Sequence, residues 1–281
     1  LAQLDGVRPP IIVVGEEHRF LTKNQIEALG LYPHFEVLLE PCGKNTAPAI
    51  CGAATYVAGK GQGQDVLLVL PADHLIQKGE AFAQAVSEAA TLAEQGMIVT
   101  FGIVPDHPET GYGYIARGEG VRVESFVEKP DLETAKQYLA SGRYFWNSGM
   151  FAFTADTLLA EMATHAPSIV EQMSMAVSMG TPDGLFFRFA KEAMETCPSD
   201  SIDYALMEKT SKAVVVEADI GWSDIGSWRA LWEVAEKDAD GNATYGDVLL
   251  EDSRNSLVRS EHTLVATVGL RDTLVVETAD A

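Results

Sequence analysis

Positive charge is scarce in this chain: 20 Lys and Arg stand against 41 Asp and Glu, for a net charge of −21. Nucleic acids and anionic membrane surfaces both select a basic patch, so neither is an expected partner. A phosphorylated small molecule stays compatible, because a metal ion and a few local cations can offset the wider field. Long apolar runs are lacking too. The longest hold about five residues, far short of the roughly 20 that span a bilayer, so no membrane segment is expected. Cysteine is limited to Cys42, Cys51 and Cys197, with no C-x-x-C spacing. That usage points to a reducing compartment, hence the cytoplasm, and to no structural zinc. No secretory signal peptide is visible, and the opening Leu1-Ala2-Gln3, without Met, reads as a fragment or an unseen start.

What remains is an ordinary globular composition, 47% hydrophobic with 24 glycines in 281 residues. A chain of that size holds one large domain, or one plus a small appendage. Its organising stretch is Val66-Leu67-Leu68-Val69-Leu70-Pro71-Ala72-Asp73-His74. Five apolar residues predict a short strand buried on both faces of a parallel sheet, stopped by Pro71. Asp73 then stands beyond the carboxyl end of a central strand, where open α/β sheets bind ligands. A carboxylate there suits Mg²⁺, which takes oxygen ligands and keeps waters and substrate phosphates. It equally suits the cap of a following helix.

Strands are expected at residues 11–14, 37–39, 97–103, 121–127, 150–153 and 213–216, and helices at 20–29, 49–58, 80–95 and 228–236. This β-α-β-α alternation predicts an α/β fold with a right-handed parallel sheet covered on both faces. After Asp238 the pattern becomes short strands between turn residues such as Gly241-Asn242. The expected division is a catalytic domain over 1–237 and a small β appendage over 238–281. The appendage reads as a packing or oligomerisation module, and a homodimer is carried as an open expectation.

Several loops between these elements hold chemistry. In Glu40-Pro41-Cys42-Gly43-Lys44-Asn45-Thr46-Ala47-Pro48, Asn45 or Thr46 would cap the next helix, whose free N–H groups can hold an anion or read a base edge. Capping alone accounts for the run equally well. Gly111 and Gly113, set between aromatics, allow close approach to a ligand or simply a tight turn. Lys129, at a strand end before Pro130, could hold a phosphate, or be a solvated surface Lys. Asp224, in the loop opening the 228–236 helix, is either its N-cap or a second metal carboxylate partnering Asp73.

Together the runs EPCGKNTAPAI (40–50), LPADH (70–74), ETGYGYI (109–115), FVEKP (126–130), WNSGMF (146–151), SIDYALMEKT (201–210) and GWSDIGSW (221–228) resemble the sugar-1-phosphate nucleotidylyltransferases. The resemblance is to members that make GDP-mannose, including the form fused to a phosphomannose isomerase whose cupin-type barrel would lie beyond Ala281. GNATYGDV (241–248) and TLVVETADA (273–281) extend it. It implies a Rossmann-like three-layer fold of the glycosyltransferase-A kind, with a mixed, mostly parallel sheet. It also implies a reaction: GTP and mannose 1-phosphate give GDP-mannose and pyrophosphate, by in-line attack on the α-phosphorus with Mg²⁺ as cofactor.

Carried over residue by residue, Asp73 and Asp224 would hold the metal and Lys129 would contact the sugar's phosphate. Glu128 would meet its hydroxyls, Gly113 and Asn147 would line its pocket, and Glu40, Asn45 and Thr46 would face guanine. One family feature is missing from the sequence: the glycine-rich, Arg- and Lys-bearing loop that wraps the triphosphate. The full protein is expected to carry it, and a polypeptide without it should turn over little. Two alternatives stand beside this reading: a transferase of the same fold for another base or hexose, and a non-catalytic sugar-nucleotide-binding regulator.

Overall fold

The computed structural model describes residues 6–281. The chain forms two compact units, one of residues up to Pro71 with Lys78–Ile220, the other of Ala72–Gln77 with Gly221–Ala281. The later change of unit falls between Ile220 and Gly221, and the second unit also takes the six-residue piece around Asp73.

The larger unit is mixed α/β. Its main sheet has six strands built on the 11-residue strand Tyr144–Thr154. On one edge of that strand runs Ile98–Ile103, antiparallel to it and itself parallel to Ala213–Glu217. The opposite edge is shared. Val66–Val69 pairs with its last four residues (Val66 with Thr154, Val69 with Phe151), and Tyr114–Arg117 pairs with Tyr144 to Trp146. Between the two partners, residues 148–150 of that edge pair with neither flanking strand.

The organising strand therefore differs from its expectation. Val66–Val69 lies antiparallel to its neighbour and is half-buried throughout. A five-residue apolar run predicts a covered strand, but it does not encode the direction of a partner drawn from 80 residues downstream. A second sheet of four strands begins with Ile11–Gly15 parallel to Glu36–Glu40, which is parallel in turn to Phe186–Arg188.

The core lies between the sheets and the helices Thr46–Gly59, Ala155–His165 and Pro167–Ser178, with Leu38, Cys51, Phe151, Phe153, Leu158, Met162 and Met173 buried together. Small residues on Thr46–Gly59 permit that approach: a Cβ on Gly52 would come within 2.6 Å of Met173 Cε. The helix Leu132–Ser141 is capped at both ends, Asp131 accepting from Thr134 N and Gly142 closing it in the left-handed region. Gly102 sits at the register shift where Ile98–Ile103 meets the central strand, and a Cβ there would lie 2.6 Å from Val215 Cγ2 and 2.8 Å from Phe145 Cβ. Gly102→Ala should overpack this point and cost about 1–3 kcal/mol in urea unfolding at unchanged m. A neutral result would mean that the bulge yields freely.

In the smaller unit, Leu75–Ile76 and Trp222–Ser223 form an antiparallel ribbon, followed by the helix Trp228–Val234. The closing strands do not make hairpins. Ala243–Tyr245, Leu257–Ser260 and Leu274–Glu277 stack in parallel as one ladder, and Val248–Glu251 and Val265–Val268 as another. Each strand pairs with the next but one, so the chain winds as a small parallel solenoid. Its corners use Asp252, Asn255 and Asp272 at positive φ, a conformation that Asn and Asp tolerate. Asn242 pins one corner: its Nδ2 donates to Ser253 O and its Oδ1 accepts from Ser256 N. Among the described residues, no helix is long and apolar enough to cross a membrane.

Candidate functional site

The polar residues singled out from sequence fall into three groups, two in the larger unit and one in the smaller. The first surrounds the start of the helix Thr46–Gly59. Glu40 ends its strand with Oε1 buried and without a hydrogen-bond partner among the described residues. Burial pushes its carboxyl up to about 7, because the charged form loses solvation. Asn45 holds φ 68° and ψ −171°, a region almost reserved for glycine, and its Oδ1 accepts from Thr46 N at 2.8 Å. Thr46 Oγ1 accepts from Ile202 N at 2.9 Å, and Ala47 N donates to Asp200 O at 3.1 Å. Asn45 and Thr46 thus spend acceptors on the fold, and Glu40 keeps one unspent.

The second group lies around Asn147 of the central strand. Asn147 N donates to Gly113 O at 2.8 Å, Asn147 Oδ1 accepts from Gly149 N at 3.1 Å, and its Nδ2 donates to Asp203 Oδ1 at 2.9 Å. Glu128 leans over Gly113, where a Cβ would meet its Oε2 at 2.6 Å and Asn147 Cβ at 3.5 Å. A Cβ there would push the Glu128 carboxylate aside. Burial, and then the charge of Glu128, hold the Asp203 carboxyl above its usual range, with the Asn147 bond opposing. Lys129 adopts φ +45° directly before Pro130 and lies with Nζ 3.8 Å from Glu128 Oε1. The residue before proline strongly prefers extended backbone, so this conformation is held at a cost of about 1–3 kcal/mol.

In the smaller unit, the antiparallel ribbon pairs Leu75 with Ser223. Residues just before Leu75 and just after Ser223 therefore emerge at the same end, and these are Asp73, His74 and Asp224. His74 feels the charge of both aspartates, which oppose the lowering that burial imposes on its pKa. Trp222 Nε1 donates to His74 Nδ1 at 3.1 Å, leaving Nε2 on the Asp73 side, 3.8 Å from Oδ1. Asp224 does not cap the following helix. Ser227 does so, its side chain accepting from Ala230 N at 3.1 Å, while Asp224 Oδ1 accepts from Gly226 N at 3.0 Å. Between them, Ile225 sits at φ +46°, a strained setting for a β-branched residue.

Backbone strain marks these groups. Six non-glycine residues among those described have positive φ. Three are the solenoid corners, and the others are Asn45, Lys129 and Ile225, one in each group. Among the described residues, no cluster of three or more His, Cys, Asp and Glu could hold a metal by itself. Two hard carboxylates at one ribbon end still fit an ion that retains waters and takes its other oxygens from phosphates.

Asp203 and His74 carry no assigned role in the sequence reading. The run holding Asp203 reads as a capped helix start; in the fold it is a short π-helical turn, Asp203–Met207. Such turns gather at functional sites, yet nothing local in the sequence announces one.

Comparisons with known proteins converge. The family described as nucleotidyl transferase matches residues 1–241. The xanthan biosynthesis protein XanB of Xanthomonas campestris (strain B100) is 52% identical over 275 residues, 97% of this chain and 58% of its own length. The mannose-1-phosphate guanylyltransferase of Escherichia coli K12 is 47% identical over 293 aligned positions, covering 100% of this chain and 61% of that protein. The chain thus spans about three fifths of these relatives. A crystal structure from Thermus thermophilus, described as a mannose-1-phosphate geranyltransferase, superposes with a TM-score of 0.83 at 32% identity, covering 96% of this chain and 78% of that one.

Proposed function

We propose that this chain, which belongs to the nucleotidyl transferase family, forms GDP-mannose and pyrophosphate from GTP and mannose 1-phosphate. The observation that carries this reading is the ribbon whose pairing brings Asp73 and Asp224 out at one end, each within electrostatic reach of His74. The names of the relatives, one a mannose-1-phosphate guanylyltransferase and one a xanthan biosynthesis protein, support GDP-mannose as the product.

In the proposed reaction an oxygen of the sugar phosphate attacks the α-phosphorus of GTP in line, the new P–O bond forms, and the bond to the β-phosphate oxygen breaks, releasing pyrophosphate. No side chain needs to act as a covalent nucleophile. Catalysis then consists of positioning the reactants and neutralising anionic oxygens. Lys129, fixed by its constrained backbone, would meet the phosphate of mannose 1-phosphate. Glu128 would accept from sugar hydroxyls, and Gly113 would keep open the space beside Asn147. Glu40 would face the N–H donors of guanine, beside Asn45 and Thr46. Asp73 and Asp224 would hold a divalent ion, Mg²⁺ by the hardness of the donors. What that ion supplies when bound is neutralisation of phosphate charge. The cysteines are all free, with Cys51 and Cys197 buried, in keeping with a reducing, cytoplasmic setting.

The test is a nucleotide-by-sugar panel on the full-length protein, following pyrophosphate release with and without Mg²⁺. Release from GTP with mannose 1-phosphate, abolished by chelation, is the expected result. Turnover of TTP or UTP but not GTP would move the assignment to another transferase of this fold. Tight binding with no turnover would make the protein a regulator.

A further inference from the structure

Asn147 could present either end of its carboxamide to a ligand, and its neighbours decide which. Gly149 N donates to Oδ1, so the amide nitrogen faces the other way, toward Asp203 Oδ1 at 2.9 Å. Thr100 Oγ1 reinforces this orientation at 3.5 Å from Oδ1. Asp203 itself is held from behind. Ile202 is buried and its N–H is taken by Thr46 Oγ1. Asp200 exchanges backbone bonds with the other loop, its carbonyl accepting from Ala47 N and its N–H donating to Lys44 O. Residues 200–203 therefore join the start of the helix Thr46–Gly59 to Asn147, and through Asn147 N to Gly113, by hydrogen bonds made at Asp200, Ile202, Asp203 and Asn147.

We propose that Asp203 is a positioning residue for the sugar-phosphate substrate: its carboxylate fixes the Asn147 carboxamide. The inference rests on the transferase reading for the identity of the substrates, but not for the existence of the device. Asp203 acts through Asn147. A purely structural carboxylate would support the turn Asp203–Met207 and influence both substrates alike.

The experiment uses the full-length protein with Asp203→Ala, Asp203→Asn, Asn147→Asp and the double variant N147D/D203N. KM for mannose 1-phosphate, KM for GTP, kcat and the melting temperature are measured for each. Asp203→Ala should raise KM for the sugar phosphate about 10- to 100-fold, the size of a lost hydrogen bond to a charged group, with KM for GTP changed less than about twofold. Asp203→Asn keeps an acceptor oxygen and should fall between wild type and Asp203→Ala. Asn147→Asp sets two carboxylates against each other beside Glu128 and should be the poorest enzyme. Adding Asp203→Asn to it restores one donor and one acceptor in reversed order, and should recover at least about tenfold of the loss.

Equal rises in both KM values, or a lower melting temperature with both KM values unchanged, would make Asp203 structural and overturn the proposal. So would a double variant no better than Asn147→Asp alone, and that comparison decides the matter even if Asp203→Ala fails to fold. If the panel finds a different nucleotide and sugar, the same variants read with that pair still test Asp203, so the two failures are distinguishable.

Discussion

Asp224→Asn should fold like the wild type and lose activity by a factor of about 10²–10³, the scale on which removal of one preorganised electrostatic group is felt. The helix Trp228–Val234 is capped by Ser227, and the contact from Gly226 N to Asp224 Oδ1 survives in asparagine, whose Oδ1 accepts equally well. What disappears is one negative charge from the ribbon end that it shares with Asp73. Asp73 has a largely exposed side chain, so little folding energy is at stake there either. The readouts are the thermal melt, Mg²⁺-dependent pyrophosphate release, and the Mg²⁺ concentration giving half-maximal rate, which should rise. A variant that unfolds, while its folded fraction keeps normal specific activity, would mean that Asp224 serves the loop and not the metal.

Glu40→Gln should make the protein more stable and the enzyme worse. Burial raises the Glu40 carboxyl from an ordinary 4.5 to about 7. The folded state therefore binds a proton that the unfolded state releases at lower pH. The associated stability is fully present below about 4.5 and is lost as the pH rises through about 7. Above that range the wild type carries a poorly solvated charge, and glutamine does not. The gain should be on the order of 2 kcal/mol at pH 8, allowing for partial solvent contact, and should vanish near pH 4. That gain corresponds to several degrees in melting temperature.

The functional cost follows from the loss of the carboxylate. A carboxylate can receive from N1–H and the 2-amino group of guanine, whereas glutamine offers one oxygen and an opposing NH₂. KM for GTP should rise about 10- to 100-fold and the preference for GTP over ITP should shrink. A stability difference independent of pH, or an unchanged GTP preference, would remove Glu40 from the base site.

Strain separates two kinds of residue that sequence treats alike. Asp252, Asn255 and Asp272 hold positive φ at solenoid corners, where their side chains make it cheap. Lys129 before proline and Ile225 beside Asp224 have no such excuse, and a fold retains that cost only where surrounding structure fixes it. The FVEKP and GWSDIGSW runs show where these residues stand in the chain. They do not show that the backbone is bent, because the bend comes from contacts and not from the residues' own preferences.

Helix termini are legible where caps depend on residues a few positions apart, as at Asn45, which opens the helix Thr46–Gly59. Resemblance in the ordered motifs carried the family, and the candidate residues came with it. The antiparallel run of Val66–Val69, the parallel winding of the closing strands and the role of Asp203 were not legible. The sequence by itself determined where chemistry-bearing side chains lie along the chain and which short segments are helical or extended, because those follow from interactions over a few residues. Tertiary structure alone decided which strands flank the central strand, that Asp73 and Asp224 leave one ribbon at the same end, and that Asp203 grips Asn147 from 56 positions away. Partners so distant are chosen by burial and hydrogen-bond satisfaction across the whole fold, for which no local pattern stands in.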